Sequence, residues 1–505
     1  MKRNLAIILA LLMLSSSLAA CSNAGTNTDE TKGDGTDTST SVADAGDDAE
    51  SETTRLDSGL ADADFEGHTF NIFRHSAVGD DFDAEDFTGE PINDAKYQRM
   101  KTIEDKANIT IQSIKVEADM RAGQTPLATT VQAGTNDYDL VNMSAYSSCN
   151  ALVAGLFMNL RDVPNLDLNQ PWWDQKGIED MSFGDAVFQV TGDISIGDNN
   201  QTFCVFFNKN MAENYQLANM YDMVREGTWT VDNFKGLAET IDSNLDYDND
   251  GDHVNDVEDI YGIWLWDDIM MGIVNASGIQ CCDINDKGEI ELTLNSEKFV
   301  SVFEKFTSYA YNKEVTCAFQ RRDYAADYGE IAFREGRGLF YMTNIGKATA
   351  FREMEDDFGI LPLPKYDEHQ EEYHNSAASW GLPLYSIPLN TLGEEGNART
   401  GWITQALAYE GMYTLTPAYY DQTLQNKVAR DVDSSEMLDL IFASRCYDFG
   451  WYFEVGTYNE AIMNLLRSYS SDVASMVKKF DKIATKTLNK YNEKIQEQIN
   501  GENKG

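Results

Sequence analysis

His68-Thr69-Phe70-Asn71-Ile72-Phe73 opens the run of segments whose order decides the fold. Polar and apolar residues alternate through it, the period-2 pattern of a strand. Asn93 to Ala107 (NDAKYQRMKTIEDKA) follows with helical patterning, and Asp94 is its expected cap. Asn108 to Ile114 (NITIQSI) reads as a second strand, Leu127 to Ala133 as a second helix, and Tyr138 to Met143 (YDLVNM) as a third strand. Strand, helix, strand, helix, strand predicts an α/β fold with parallel pairs and right-handed crossovers. Ligands of such sheets gather at the carboxyl ends of the strands. Asn142 and Ser144 lie at one such end and are candidate ligand residues.

Upstream, Lys2 and Arg3 precede an apolar run from Leu5 to Leu14, then Ser15-Ser16-Ser17 and Leu18-Ala19-Ala20-Cys21. A charged start, a short apolar stretch and small residues read as a secretory signal over 1–20. The cysteine after Leu-Ala-Ala resembles the bacterial lipobox. That resemblance implies acylation of Cys21 and a chain tethered by lipid to the outer face of a membrane; the alternative is a plain signal with a chance cysteine. After Cys21, residues up to 60 are almost free of large apolar side chains and consist mostly of Ser, Thr, Gly, Ala, Asn and acids, with Lys32 and Arg55 as the basic residues. Such a segment cannot bury enough surface to offset its conformational entropy and is expected to be a disordered acidic linker. From 61 to 505 the composition is that of a globular domain, long enough for two lobes. No later apolar stretch is long enough to cross a bilayer.

The net charge of −45 disfavours nucleic acid and anionic lipid as partners and suits neutral ligands or cations. Apart from Cys21 there are six cysteines: Cys149, Cys204, Cys281, Cys282, Cys317 and Cys446. Their even number permits disulfides and their apolar contexts permit buried thiols, so both readings stand. Five histidines with no His-Glu-x-x-His element, no phosphate-binding loop and no Gly-x-Ser-x-Gly elbow leave nothing that points to an enzyme.

Several landmarks then follow in order. Tyr138-Asp139-Leu140-Val141 precedes Leu156-Phe157-Met158-Asn159-Leu160. Phe206-Phe207-Asn208-Lys209, Glu226-Gly227-Thr228-Trp229-Thr230 and Phe358-Gly359-Ile360-Leu361-Pro362-Leu363-Pro364 come after it. This order resembles the extracellular solute-binding proteins of bacterial carbohydrate-type ABC transporters, the maltose-binding-protein-like family. Pro364 to Glu368 and Ala429 to Tyr447 resemble a Gram-positive branch of that family. The resemblance implies a two-lobed periplasmic-binding-protein-like fold of type II, each lobe a mixed sheet flanked by helices, joined by hinge strands. It implies lobe 1 at about 62–191 with 356–415, and lobe 2 at about 193–352 with 416–490. Gly192-Asp193 would lie near the first crossing, and a C-terminal helix at about 472–499 would coat the domain. Function follows as an expectation: a monomeric, lipid-anchored importer component that captures a sugar or oligosaccharide between the lobes and delivers it to ABC permease subunits. Alternatives are the same fold binding a peptide or polyamine, and a surface glycoside hydrolase working through a carboxylate pair.

The sharpest local motif is acidic. Asp246, Asp248 and Asp250 alternate before Gly251, followed by Asp252, Asp256, Glu258 and Asp259. Alternating carboxylates and a glycine for the tight turn are what structural Ca2+ requires. Position twelve of the loop is Val257, so Glu258, Asp256 or Asp259 is the closing ligand; a merely solvated acidic loop is the competing reading.

Trp264 and Trp266 follow at once, then Asp267 and Asp268. Aromatic faces beside carboxylates suit sugar, whose CH faces stack on indole while its hydroxyls donate to carboxylates. The resemblance places this segment at the cleft; the competing reading buries both tryptophans in the core. Asn200 and Gln201, then Thr343, Asn344 and Gly346 after a buried-strand pattern, and the late aromatics Trp380, Trp451 and Tyr452 complete the ligand candidates. Trp172 and Trp173 are expected to pack between lobe elements.

Overall fold

A computed structural model describes residues 55–241, 258–322, 325–425 and 432–501. Cys21, nearly all of the linker, and Asp246, Asp248, Asp250, Asp252 and Asp256 lie outside the described residues. Strands are β1 (His68–His75), β2 (Ile109–Val116), β3 (Leu140–Ser144), β4 (Phe203–Asn208), β5 (Tyr261–Leu265), β6 (Cys282–Ile284) and β7 (Ile290–Leu292). They continue with β8 (Thr316–Ala318), β9 (Gly338–Asn344), β10 (Phe358–Leu361), β11 (Asn375–Ser376), β12 (Pro383–Ser386) and β13 (Arg445–Cys446).

The first lobe is a four-stranded mixed sheet in the order β12-β3-β1-β2. β1 runs parallel to β2 and β3, with Phe70 opposite Ile111 and Phe73 opposite Val141, whereas β12 is antiparallel to β3. Phe70 and Ile72 bury on one face of β1 among Met100, Ile103, Trp172 and Trp402, while Phe73 buries on the other. Both faces are covered, as expected of parallel strands joined by crossover helices. The helix Pro91–Ala107 begins with Pro91 at its first turn. Asp94 does not cap it; its carboxylate accepts from Thr88 N and Gly89 N in the preceding turn at 2.7 and 3.1 Å.

The second lobe is a five-stranded mixed sheet in the order β10-β4-β9-β5-β8. β4 lies between antiparallel neighbours and is buried along its whole length, which explains its unbroken apolar reading. Thr230 caps the helix Val231–Ala238 by accepting from Asn233 N. Trp229 Nε1 donates to Pro362 O at 2.8 Å, fastening the returning segment to this lobe.

The partition by residue number departs from expectation at two points. Residues 356–376, expected in lobe 1, belong to lobe 2: β10 pairs with β4, and Leu363 N donates to Asn375 Oδ1 at 3.0 Å. The return to lobe 1 comes between β11 and β12. Conversely, the helix Leu415–Gln425, expected in lobe 2, packs on the helix Pro91–Ala107 of lobe 1. An apolar run announces a strand, but pairing alone settles which sheet receives it.

The first crossing runs through Gly192, whose φ of +141° favours glycine; a Cβ there would lie 2.5 Å from Trp172 O. Arg99, fully buried, donates to Ile194 O at 2.7 Å and holds this segment to lobe 1. β11 and β13 pair in parallel, and Arg445 joins Asp198 Oδ2 at 2.6 Å and Asn199 Oδ1 at 2.6 Å. Three chain segments therefore meet where the lobes connect.

The last helix is Val473–Ile499. Val473, Met476 and Val477 are buried, whereas Ile483 of the same apolar series is 51% exposed. This helix packs on the helix Glu297–Ala310 of lobe 2 and on the helix Ala145–Val153 of lobe 1. Cys149, Cys204, Cys281, Cys282, Cys317 and Cys446 are all free and buried, so the thiol reading holds and the disulfide reading does not. No helix among the described residues is long and apolar enough to cross a membrane.

Candidate ligand-binding cleft

A cavity of about 730 Å³ opens between the two sheets. Lobe 1 contributes Met120, Arg121 and Tyr146. Lobe 2 contributes Phe203, Trp266, Asp268, Phe319, Gln320, Tyr341, Thr343, Asn344 and Lys347, Trp380 comes from the segment returning to lobe 1, and the C-terminal helices contribute Glu454, Asn459, Glu460, Met463 and Arg467.

The end of β5 supplies the aromatic and acidic core of this wall. The strand stops at Leu265, and residues 266–268 turn into the helix Ile269–Ala276. Trp266 therefore leaves the strand's alternation and packs against Phe319 with ring centroids 5.0 Å apart. Asp268 occupies the cap position of that helix without making a side-chain capping bond. Burial, then the neighbouring Asp267 charge, pushes its carboxyl up to about 6, partly offset by Arg467 and a hydrogen bond from Trp266. The carboxylate thus stands in the cavity wall, available to a ligand.

Across the gap, Arg121 pairs with Glu454 at 2.9 Å and lies over the Tyr146 ring at 4.6 Å. Asn459 donates to Tyr146 Oη at 3.3 Å. Lys347 pairs with Glu330 at 2.8 Å. Three cationic side chains (Arg121, Lys347, Arg467) face three acidic ones (Asp268, Glu454, Glu460), so the lining is balanced in charge although the chain is strongly acidic.

Of the residues expected at a ligand site, Trp266, Asp268, Asn344 and Trp380 line the cavity, together with Thr343. Asn200, Gln201 and Gly346 stand behind Asn344: Gln201 Oε1 accepts from Asn344 Nδ2 at 3.4 Å, and Gly346 abuts Asn200. The others belong to the core. Trp264 is 0% exposed, donates to Arg337 O at 2.6 Å and fills the space a side chain at Gly338 would need. Asp267 is locked to Arg321 at 2.7 Å, with both side chains fully buried. Asn142 donates to Tyr385 Oη at 3.0 Å, and Ser144 donates to Met120 O at 2.8 Å. Trp451 donates to Asn275 Oδ1 at 3.1 Å, and Tyr452 is buried beside it. Arg121, Tyr146, Glu454 and Asn459 went unread because they sit on a loop and on helices far apart in sequence. Glu258 and Asp259 are described and engaged with neighbours, and no group of three or more metal-ligating side chains is found among the described residues.

Two separate mixed sheets joined by crossing segments, with a lined gap between them, can be compared with known structures. UgpB from Mycobacterium tuberculosis, solved with glycerophosphocholine, superposes with a TM-score of 0.54 at 15% identity over 86% of this chain and 99% of its own. The chain has the fold of the carbohydrate-type ABC solute-binding proteins. A solute-binding protein from Agrobacterium radiobacter K84 in complex with ribitol matches this fold with a TM-score of 0.53 at 13% identity, over 84% and 99% of the two chains. A cyclo/maltodextrin-binding protein complexed with maltotetraose gives 0.52 at 14% identity, over 86% and 98%. No protein-family model matches the sequence, and no curated protein matches it either. The type II solute-binding fold is thus evident in the structure at identities where sequence comparison finds nothing.

Proposed function

We propose that this protein is the solute-binding component of an ABC importer, capturing a neutral sugar or oligosaccharide in the cavity and delivering it to membrane permease subunits. The observation that carries the ligand class is the lining: Trp266, Phe319, Tyr146 and Trp380 beside Asp268, Asn344 and Asn459, with charges in balance. Indole and phenyl faces suit the CH faces of a sugar ring, and carboxylate and amide oxygens suit its hydroxyls. The balance of three cations against three acids favours a neutral solute over a polyamine. Structures sharing the fold hold maltotetraose and ribitol, which is in keeping with a polyhydroxylated ligand.

Capture works as a population shift. A ligand touching both lobes stabilises the arrangement in which they approach, and no bond is broken. Trp266 should report it: intrinsic fluorescence is expected to change on titration with a matching sugar. A flat response across a broad glycan panel, with a response to polyamines or peptides, overturns the sugar assignment. Cleavage of chromogenic glycosides would favour an enzyme instead.

Two parts of the proposal rest on sequence. Acylation at Cys21 would hold the monomer at the extracellular face of the cell membrane, and Cys21→Ala should release it into the medium. Structural calcium in the loop from Asp246 to Asp259 is supported by its carboxylate spacing, and a chelator should lower the melting temperature.

A further inference from the structure

Lobe 1 reaches the cavity through Met120, Arg121 and Tyr146. Met120 and Arg121 lie on the loop between β2 and the helix Gln124–Ala133, and surface loops are ordinarily mobile. This one is fastened on both sides of Arg121 by a single hydroxyl. Ser147 Oγ, fully buried, donates to Met120 O at 2.9 Å and accepts from Gly123 N at 2.9 Å. Gly123 permits the approach, since a Cβ there would lie 3.0 Å from Ser147 Oγ. Asn150 Nδ2 donates to Arg121 O at 3.1 Å, and Arg121 N donates to Asp119 Oδ1 at 3.0 Å. Ser144 is a second donor to Met120 O, so that carbonyl keeps Ser147 if Ser144 is lost.

The side chain is held as firmly as the backbone. The Arg121 guanidinium lies over the Tyr146 ring at 4.6 Å, and its Nε donates to both carboxylate oxygens of Glu454 at 2.9 Å. Tyr146, Ser147 and Asn150 share the helix Ala145–Val153, and Asn150 follows the other two by four and three residues, which sets all three on one face. That face orients both the loop and the guanidinium. Glu454 leaves over the Nη1–Nη2 edge, which makes no hydrogen bond among the described residues. The Arg121 side chain is 47% exposed and lines the cavity, so a solute held there can reach it. A guanidinium edge offers two parallel N–H donors that match two neighbouring oxygens. A side chain already ordered also loses little freedom when the solute arrives.

We propose that Arg121 is a specificity-determining contact of lobe 1, donating from Nη1 and Nη2 to two adjacent hydroxyl oxygens of the captured solute, and that Ser147 and Asn150 are positioning residues acting through it. The inference rests on the sugar reading above.

The test is calorimetric titration of the full-length protein with a panel of neutral glycans that includes maltotetraose, the tightest-binding member then being used for the variants. Arg121→Ala should bind it about tenfold more weakly, and so should Arg121→Lys, which keeps the charge but not the paired donors. Ser147→Ala should weaken binding about threefold, and in the Arg121→Ala background it should change nothing further, because its effect runs through the guanidinium. Asn150→Leu, at a half-buried position, should behave in the same way and replaces Ser147→Ala should that variant fail to fold. Unchanged affinity in Arg121→Ala overturns the inference. Full affinity in Arg121→Lys overturns the paired-donor contact, and losses that simply add in the double variants overturn the positioning roles. Absence of binding by any glycan overturns the sugar reading, and this inference falls with it.

Discussion

The ends of β3 and β5 make an instructive pair. β3, parallel to β1, runs straight into the helix Ala145–Val153, and β5, parallel to β8 and β9, turns into the helix Ile269–Ala276; both close on polar residues where α/β sheets collect ligands. At β3 the end is sealed: Ser144 donates to Met120 O at 2.8 Å, Asn142 donates to Tyr385 Oη at 3.0 Å, and neither side chain is exposed. At β5 the end is open: Trp266 and Asp268 line the cavity, while Trp264 and Asp267, their immediate neighbours, are fully buried. A strand end is therefore only a place where a site can form. Whether it becomes one depends on whether the surrounding packing leaves its polar side chains facing the cavity or closes over them.

The sharpest way to break that comparison is to separate Asp267 from Asp268. Asp267→Ala strands a fully buried Arg321 and should cost about 3–5 kcal/mol in a denaturant melt. Asp268→Ala should cost far less and weaken ligand binding instead; equal losses would dissolve the distinction. The adjacent tryptophans extend the test. Trp264→Ala empties a packed core and should cost about 3–5 kcal/mol, whereas Trp266→Ala should leave the melt nearly unchanged and remove most of the ligand-induced fluorescence signal.

A pH titration sharpens the picture at the open end. Burial raises the Asp268 carboxyl to about 6, so the folded protein holds this proton more tightly than the unfolded chain does. The charged acceptor is complete above that value and is lost as pH falls through it. Affinity for a hydroxylated ligand is expected to drop several-fold between pH 7.5 and 5, and Asp268→Asn should flatten that profile.

Smaller effects probe the sealed end and the mouth. Ser144→Ala should cost about 1 kcal/mol in stability with no change in affinity, as for the loss of a structural hydrogen bond. Glu454→Gln removes a half-exposed pair with Arg121 and should change stability by about 1 kcal/mol or less. A large loss of binding in Ser144→Ala would place ligand where the structure shows a closed end.

Much of the architecture was legible. The strands expected at His68, Asn108 and Tyr138 appear as β1, β2 and β3 with ends shifted by a few residues, because alternation is a local signal. Trp264 and Trp266 were harder. Spaced two apart, they should face the same way on a strand, but β5 ends at Leu265 and the second indole swings out of register. The acids were harder still: adjacent in sequence, Asp267 finds Arg321 in the core while Asp268, at the start of a helix, stands in the cavity wall. Arg121, Tyr146 and Asn459 carry no sequence signal, since their role comes from segments that meet only in the folded chain.

The order of strands and helices, and hence the α/β class, was written in the chain itself, because the periodicity of apolar side chains reflects neighbours a few positions away. Assignment of β10 to lobe 2, the sealing of β3 and the meeting of Asn459 with Tyr146, 313 positions distant, were decided by tertiary structure alone. Those outcomes depend on which surfaces pack against one another, and burial removes from water groups that look identical when read along the sequence.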